Sequence, residues 1–159
     1  IRRKGEPKVF LVSTTHGGET HGIAAALATI DVYENNPVIQ HNHAIGDYFM
    51  NGVKGILSRR KLEDYFELTG FNWCVGLVVK NEKKEPCMFY RTLFMQEMIQ
   101  RGVLYQGILS PSFSHTQDDI DFMLAAFDES CEVFGRALED GYEKYLVGEE
   151  IKPVFRKIN

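Results

Sequence analysis

Hydrophobic and polar positions in the first third of the chain predict one buried strand followed by two helices. Residues 8–12 are almost wholly apolar, which is typical of a short strand covered on both faces. Residues 19–34 then follow a helical period among many alanines. A second helix is expected at 37–58, because Pro37 suits a first helical turn. The apolar face of the first helix is Ile23, Leu27 and Ile30.

The rest of the chain predicts a small sheet and two more helices. Thr116 with Asp119 has capping-box spacing and marks the start of the last helix. Gly102 fits the position just past the end of the helix before it. We expect helices at 88–100 and 116–139, strands at 65–69, 73–79 and 103–105, and a short extended piece within 108–115. The predicted core positions of the last three helices are Val38, Ile45, Phe49, Val53, Ile56, Leu57, Leu93, Phe94, Met98, Ile120, Leu124, Phe127, Cys131, Phe134 and Leu138.

These elements predict two kinds of structure in an α/β protein. Residues 1–36, with strand, turn and helix in succession, are typical of the end of a parallel α/β unit. Residues 59–159 predict a small α+β domain in which helices cover a short sheet. The helix at 37–58 is expected to connect the two parts.

Composition and charge argue against two classes of partner. The 159 residues are 44% hydrophobic, with a formal net charge of −4 at pH 7. This acidic balance gives no positive field for a nucleic acid or an anionic membrane, and no apolar run is long enough to span a bilayer. Three cysteines without metal-type spacing predict free thiols and a cytoplasmic protein. Because the chain opens on Ile1 within a charged stretch, we expect a fragment or a processed product.

The turn between the predicted strand and the first helix is the sharpest chemical signal. It contains Thr14 and Thr15, followed by Gly17 and Gly18. Glycines permit a tight turn whose backbone N–H groups and adjacent hydroxyls, at a helix N-terminus, suit a phosphate monoester. An ordinary structural turn before a helix is the alternative interpretation.

Two other kinds of site have less support. A His-Gly-Gly sequence after a strand occurs in esterase oxyanion loops, but the chain has no Gly-x-Ser-x-Gly nucleophile motif. Histidines can bind metals, but the chain has neither a His-Glu-x-x-His motif nor zinc-finger spacing, so we predict no metal site. The histidines concerned are His16, His21, His41 and His43.

Two segments resemble a known family. Residues 13–24, Ser-Thr-Thr-His-Gly-Gly-Glu-Thr-His-Gly-Ile-Ala, resemble the Ser-Thr-Tyr/Phe-Gly-Gly-Asn-Pro-x-Gly/Ala segment of class III pyridoxal-phosphate (PLP) aminotransferases. Residues 114–121, Ser-His-Thr-Gln-Asp-Asp-Ile-Asp, resemble that family's C-terminal Leu-Ala-His-Thr-x-x-Asp-Ile signature. The nearest relatives look like glutamate-1-semialdehyde 2,1-aminomutases. The resemblance covers nearly all of the chain and implies the C-terminal part of a PLP-dependent transferase of fold type I, with residues 1–36 ending its large domain.

The resemblance implies PLP as the cofactor and a homodimer. In this family the threonine that aligns with Thr15 reaches across the dimer interface to the PLP phosphate in the other subunit. Thr14, Gly17 and Gly18 are then expected to shape that contact. Residues 19–20 are Glu-Thr here, where the family has Asn-Pro.

The resemblance also implies a loop that faces a small amine or amino-acid substrate, and Ser110 and Ser112 lie in that loop. Aminomutases carry Glu-Ala-Gly-Phe-like residues before the His-Thr pair. Here the connection is shorter and no glutamate lies between Val103 and His115. This difference favours an aminotransferase with another amine or amino-sugar substrate.

The family's Schiff-base lysine and its pyridine-binding aspartate lie upstream of the threonine motif. None of the ten lysines of this chain has the expected context, and Lys4 and Lys8 are too close to the motif. Without that lysine the imine chemistry has no nucleophile. We therefore expect this chain to be inactive alone and to have the large domain of the same enzyme as its partner.

The leading hypothesis is the C-terminal portion of an enzyme that transfers an amino group with PLP as the electron sink. Two alternatives stay open. One is a non-catalytic binding or interaction module derived from such an enzyme, and the other is an unrelated phosphate-binding α/β domain.

Overall fold

The computed structural model describes residues 18–152. The described residues up to Val38 belong to one compact unit and those from Ile39 onward belong to a second. The elements are α1 (Thr20–Asn35), α2 (Val38–Arg60), β1 (Phe66–Phe71), β2 (Cys74–Val79), α3 (Met88–Gln100), β3 (Ile108–Leu109), α4 (Gln117–Asp140) and a short 3-10 turn (Tyr142–Lys144). The strand predicted at 8–12 and the final residues 153–159 lie outside the described part of the chain.

The first unit contributes α1, which agrees within a residue with the helix predicted at 19–34. Every residue of α1 is exposed, including the predicted apolar face. Ile23, Leu27 and Ile30 are 51%, 63% and 52% exposed. The prediction of a helix is therefore confirmed, while its apolar face has no cover within the described residues.

The second unit is built on an antiparallel sheet in the order β1-β2-β3. β1 and β2 form a hairpin whose register runs from Phe66 opposite Val79 to Phe71 opposite Cys74. The alternate residues of β2 are buried, as expected for a strand with one face on the core. The strands predicted at 65–69 and 73–79 are confirmed with small shifts at their ends.

The prediction of a strand at 103–105 is wrong, because these residues lie between α3 and β3. Val103 donates its backbone N–H to the Met98 carbonyl at 3.0 Å. Gly102, with φ of +82°, donates to the Ile99 carbonyl, also at 3.0 Å. These two bonds form a Schellman cap on α3. The Val103 donor is thus used by the helix, and the third strand forms later, at β3, where a short extended piece was expected.

Helices α2, α3 and α4 close the core against the sheet. Phe66 of β1 lies at its centre, with ring centroids 5.0 Å from Phe94, 6.1 Å from Phe127 and 4.8 Å from Phe134. All four rings are at most 4% exposed. The predicted core positions of α2, α3 and α4 are buried, apart from Leu124 and Leu138, which are partly buried against the same cluster.

Two glycines of α2 permit close approach of neighbouring elements. A Cβ on Gly46 would lie 1.6 Å from the Asn72 carbonyl oxygen in the β1–β2 turn. A Cβ on Gly52 would lie 2.5 Å from a methyl carbon of Leu124 on α4. These two glycines therefore mark positions of close packing.

Two side chains of α3 hold the segment beyond α4 by hydrogen bonds to the backbone of that segment. The Gln96 amide donates to the Tyr145 carbonyl at 2.9 Å and accepts from the Val147 N–H at 2.8 Å. The Thr92 hydroxyl accepts from the Ile151 N–H at 3.0 Å. Residues 145–151 are thus bound through backbone atoms at both ends.

Candidate functional site

The predicted phosphate turn is described at its last glycine. Thr14, Thr15 and Gly17 lie outside the described residues, so their role stays a prediction. Gly18 is exposed, and a Cβ there would meet no atom within 4 Å. The side chain of Glu19, the N-cap of α1, makes no cap hydrogen bond, and its carboxylate lies 3.1 Å from His21 Nε2. Because α1 begins at Thr20, its first-turn N–H groups lie directly after the predicted turn in the sequence.

The predicted substrate-facing serines lie in residues 110–116, here called the 110–116 loop, which joins β3 to α4. Ser110 follows β3 and is exposed, with its hydroxyl 4.0 Å from Cys74 Sγ at the start of β2. Ser112 is also exposed, but its hydroxyl lies 3.1 Å from His115 Nδ1. The structure thus places both serines on one surface loop of the larger unit.

Ser112 and His115 close this loop into a turn. The Ser112 backbone N–H donates to His115 Nδ1 at 3.0 Å, and the His115 N–H donates to the Ser112 carbonyl at 3.0 Å. A general base for a serine nucleophile needs its ring lone pair for the hydroxyl proton. Here the backbone N–H occupies that lone pair, so the Ser-His contact stabilises the turn rather than activating a nucleophile.

Helix α4 starts with the predicted capping box. The Thr116 N–H donates to the Asp119 carboxylate at 2.8 Å, and the Asp119 N–H donates to the Thr116 hydroxyl at 3.3 Å. The backbone bond and then the hydroxyl bond from Thr116 lower the pKa of Asp119. The negative charge is also favourable at a helix N-terminus. The end of the 110–116 loop is thereby fixed.

One face of α2 contacts this region twice. The His41 ring lies with Nε2 2.9 Å from the His115 carbonyl oxygen, and its edge meets Phe113 with centroids 5.2 Å apart. Two turns later the Tyr48 hydroxyl donates to the Asp121 carboxylate at 2.6 Å. This hydrogen bond is the main reason that the pKa of Tyr48 is raised. The loop is therefore tied to α2 as well as to α4.

Sequence reasoning missed His41 as part of this region. It treated His41 as one of several scattered histidines, because a lone histidine on a helix carries no spacing signal. The contact joins positions 74 residues apart, and a single sequence contains no signal for such a pair.

Other chemistry has little support in residues 18–152. They contain no group of three His, Cys, Asp or Glu side chains able to hold a metal ion. Within the same range, no helix combines the length and apolar character needed to cross a membrane. Cys74 and Cys87 are partly buried and Cys131 is buried, all as free thiols.

The chain shares its fold with part of a PLP-dependent enzyme. A structure of the PLP internal aldimine form of the Sphingopyxis sp. MTA144 FumI protein matches 74% of this chain and 28% of that chain. The TM-score is 0.63 and the sequence identity is 20%. The predicted fold class, a small α+β domain with the fold of part of a PLP-dependent enzyme, is confirmed.

Sequence comparison finds relatives among aminotransferases. Two taurine–pyruvate aminotransferases, from Bilophila wadsworthia and its strain 3_1_6, are each 26% identical over 130 residues, or 74% of this chain. The chain spans 28% of the length of these curated relatives. No protein-family model matches it. The predicted aminotransferase resemblance is confirmed as distant homology, while the nearer likeness to glutamate-1-semialdehyde aminomutases stays a prediction.

Proposed function

We propose that this chain is the C-terminal portion of a PLP-dependent class III aminotransferase that works as a homodimer. One observation carries the proposal. A sequence match to aminotransferases and a fold match to a different PLP-dependent protein each cover 74% of this chain and 28% of the relative. The free thiols support a reducing compartment such as the cytoplasm.

The residues around the α1 N-terminus fit the phosphate of PLP. Thr14 and Thr15 carry hydroxyl donors, Gly17 and Gly18 follow them in the sequence, and the space around Gly18 is open just before the first-turn N–H groups of α1. The Glu19 carboxylate is unfavourable for an anion, and the neighbouring His21 ring offsets that charge when it is protonated. In the proposed enzyme Thr15 binds the phosphate of the other subunit, and bound PLP supplies the electron sink for amino transfer.

The small domain is proposed to face the substrate through the 110–116 loop. Ser110 and Ser112 are exposed on this loop, which is tied to two helices, so their hydroxyl oxygens can accept a hydrogen bond from a polar group of the substrate. The curated relatives make taurine and pyruvate the first substrate pair to test. Other small amines and an amino sugar follow, because the aminomutase glutamate is absent from the loop.

The catalytic lysine is proposed to come from a preceding large domain. No lysine of this chain stands in the expected context. A preparation of this chain alone should therefore bind PLP weakly and give no amino transfer. Adding the large domain should restore both properties.

Replacing Thr15 tests the proposed phosphate contact. In the intact protein, Thr15→Ala should weaken PLP retention about tenfold, the size expected for one hydrogen bond to a charged group. Thr29→Ala is the matched control, since the Thr29 hydroxyl donates to the Ala25 carbonyl within α1. Equilibrium dialysis followed by the absorbance of bound PLP measures the effect. Equal retention by both variants would remove Thr15 from the site.

Amino transfer tests the reaction itself. The intact protein with PLP should convert pyruvate to alanine when taurine or another small amine is supplied. Turnover of an amino substrate without any keto acid acceptor would instead favour an aminomutase. If the gene encodes no preceding domain with a lysine, the lack of a Schiff-base lysine in this chain favours the non-catalytic binding module.

A further inference from the structure

His41 touches the 110–116 loop at two points. Its Nε2 atom lies 2.9 Å from the His115 carbonyl oxygen, and its ring packs edge-on against Phe113. A carbonyl oxygen only accepts hydrogen bonds, so Nε2 carries the proton and donates. The neutral Nε2–H tautomer and the imidazolium both keep that proton. The contact is therefore maintained whether His41 is neutral or charged.

The helix that carries His41 is packed into the hydrophobic core. Ile45 and Phe49, one and two turns further along α2, are 8% and 1% exposed and belong to the main core. His41 itself is half-buried. Its ring is thus attached to an element that cannot move without disturbing the core.

The loop needs such a support because its own bonds are internal. The Ser112–His115 turn is closed by three local contacts, which fix its shape. These three contacts do not fix where the turn lies relative to α2, and the capping box ties only the next residue, Thr116, to α4. His41 provides a bond from outside the turn, through the carbonyl at its last residue.

We propose that His41 is a positioning residue that holds the Ser112–His115 turn, and with it the Ser112 hydroxyl, in place for substrate. This inference rests on the proposed function of the loop. His41 itself touches neither substrate nor PLP in this account, so its loss should weaken substrate binding more than turnover. Hydrogen exchange of the backbone amides in the turn tests whether His41 holds the turn, independently of any activity.

Three variants of the intact protein separate the two contacts. His41→Ala removes both contacts, His41→Gln keeps a side-chain N–H donor, and His41→Phe keeps the ring. His43→Ala is the matched control, because His43 is exposed on the same helix. We expect exchange of the His115 amide to rise about fivefold in His41→Ala and His41→Phe, as for the loss of one hydrogen bond. His41→Gln and the control should stay near the wild-type rate.

Kinetics with taurine and pyruvate test the consequence for substrate. In His41→Ala the KM for taurine should rise about fivefold with kcat within about twofold, and His41→Gln should recover most of the loss. Unchanged amide exchange in His41→Ala would show that His41 does not hold the turn. Faster exchange with unchanged KM would overturn the role in substrate positioning. If the wild-type protein transfers no amino group, the proposed function fails, but the exchange result still decides whether His41 holds the turn.

Discussion

Helices α1 and α4 have the same kind of sequence pattern and opposite surroundings. Each has large apolar residues at helical spacing, Leu27 in α1 and Phe127 in α4 among them. Leu27 is 63% exposed, whereas Phe127 is fully buried. The periodic pattern therefore identifies which face of a helix is apolar, but what covers that face depends on structure elsewhere in the protein.

The two helix starts differ in the same way. Helix α4 begins with a complete capping box at Thr116 and Asp119. Helix α1 follows Glu19, whose side chain makes no cap hydrogen bond. Helix α4 also buries one face in the core, whereas every residue of α1 is exposed in the described part of the chain. A large domain that covers α1 would bury its apolar face, in line with the proposed function.

Removing a core ring should give the largest contrast between the helices. Phe127→Ala should lower the free energy of unfolding of the 159-residue chain by about 4 kcal/mol, because it leaves a cavity between Phe66 and Phe94. Leu27→Ala should change it by less than about 0.5 kcal/mol, since the side chain is exposed. Urea unfolding followed by near-UV circular dichroism measures both. Similar losses would mean that α1 is packed against the core.

Adding one methyl group should sharpen the contrast. Gly46→Ala should destabilise the larger unit by about 3 kcal/mol, because its Cβ meets the Asn72 carbonyl of the β1–β2 turn. Gly22→Ala in α1 has open space around its Cβ and should stabilise that helix by about 1 kcal/mol. Thermal unfolding measures the loss of stability in Gly46→Ala, and far-UV circular dichroism measures the gain of helix in Gly22→Ala. A neutral Gly46→Ala would show that the hairpin can shift at no cost.

The capping box should contribute a smaller amount. Thr116→Ala should cost about 1 kcal/mol, and Thr116→Ser should keep most of it. The contribution should also depend on pH. Because the pKa of Asp119 is lowered in the folded chain, its stabilisation is present above the ordinary aspartate pKa and is lost as pH falls through the lowered pKa. If the difference between wild type and Thr116→Ala is the same at neutral and acid pH, the carboxylate takes no part.

The ion pairs between α2 and α4 should give the smallest effect. Asp128 accepts from Arg60 at 2.5 Å and from Arg59 at 2.9 Å, and the Arg60 bond is the main reason its pKa is lowered. Asp128→Asn should cost at most about 1 kcal/mol near neutral pH. The cost should vanish as acid protonates Asp128 and shrink with added salt.

Asp31→Asn on α1 is the comparison for this ion pair, since the Asp31 carboxylate accepts from the neutral Asn35 amide. It should leave stability within about 0.5 kcal/mol. Chemical denaturation across a pH series measures both variants. A cost for Asp128→Asn that persists at acid pH would show that packing, rather than charge, is what the carboxylate contributes.

Most helices could be predicted because their signals are local. The capping box at Thr116 and the glycine at 102 mark helix ends within a few residues. The strand predicted around Val103 failed because its N–H caps α3, a competition that apolar content does not reveal. The Gly46–Asn72 approach and the His41–His115 bond join distant segments, and no local pattern encodes either. The phosphate contact of Thr15 lies outside the described residues and stays a prediction.

The bonds from Gln96 and Thr92 to residues 145–151 have an evolutionary consequence. Both side chains hold main-chain atoms, which are the same whatever amino acid is present. Residues 145–151 can therefore diverge in sequence among homologues and still dock in the same place, provided that proline does not remove the N–H of Val147 or Ile151. Selection should act on the two helix positions instead, because loss of the Gln96 amide or the Thr92 hydroxyl removes these bonds.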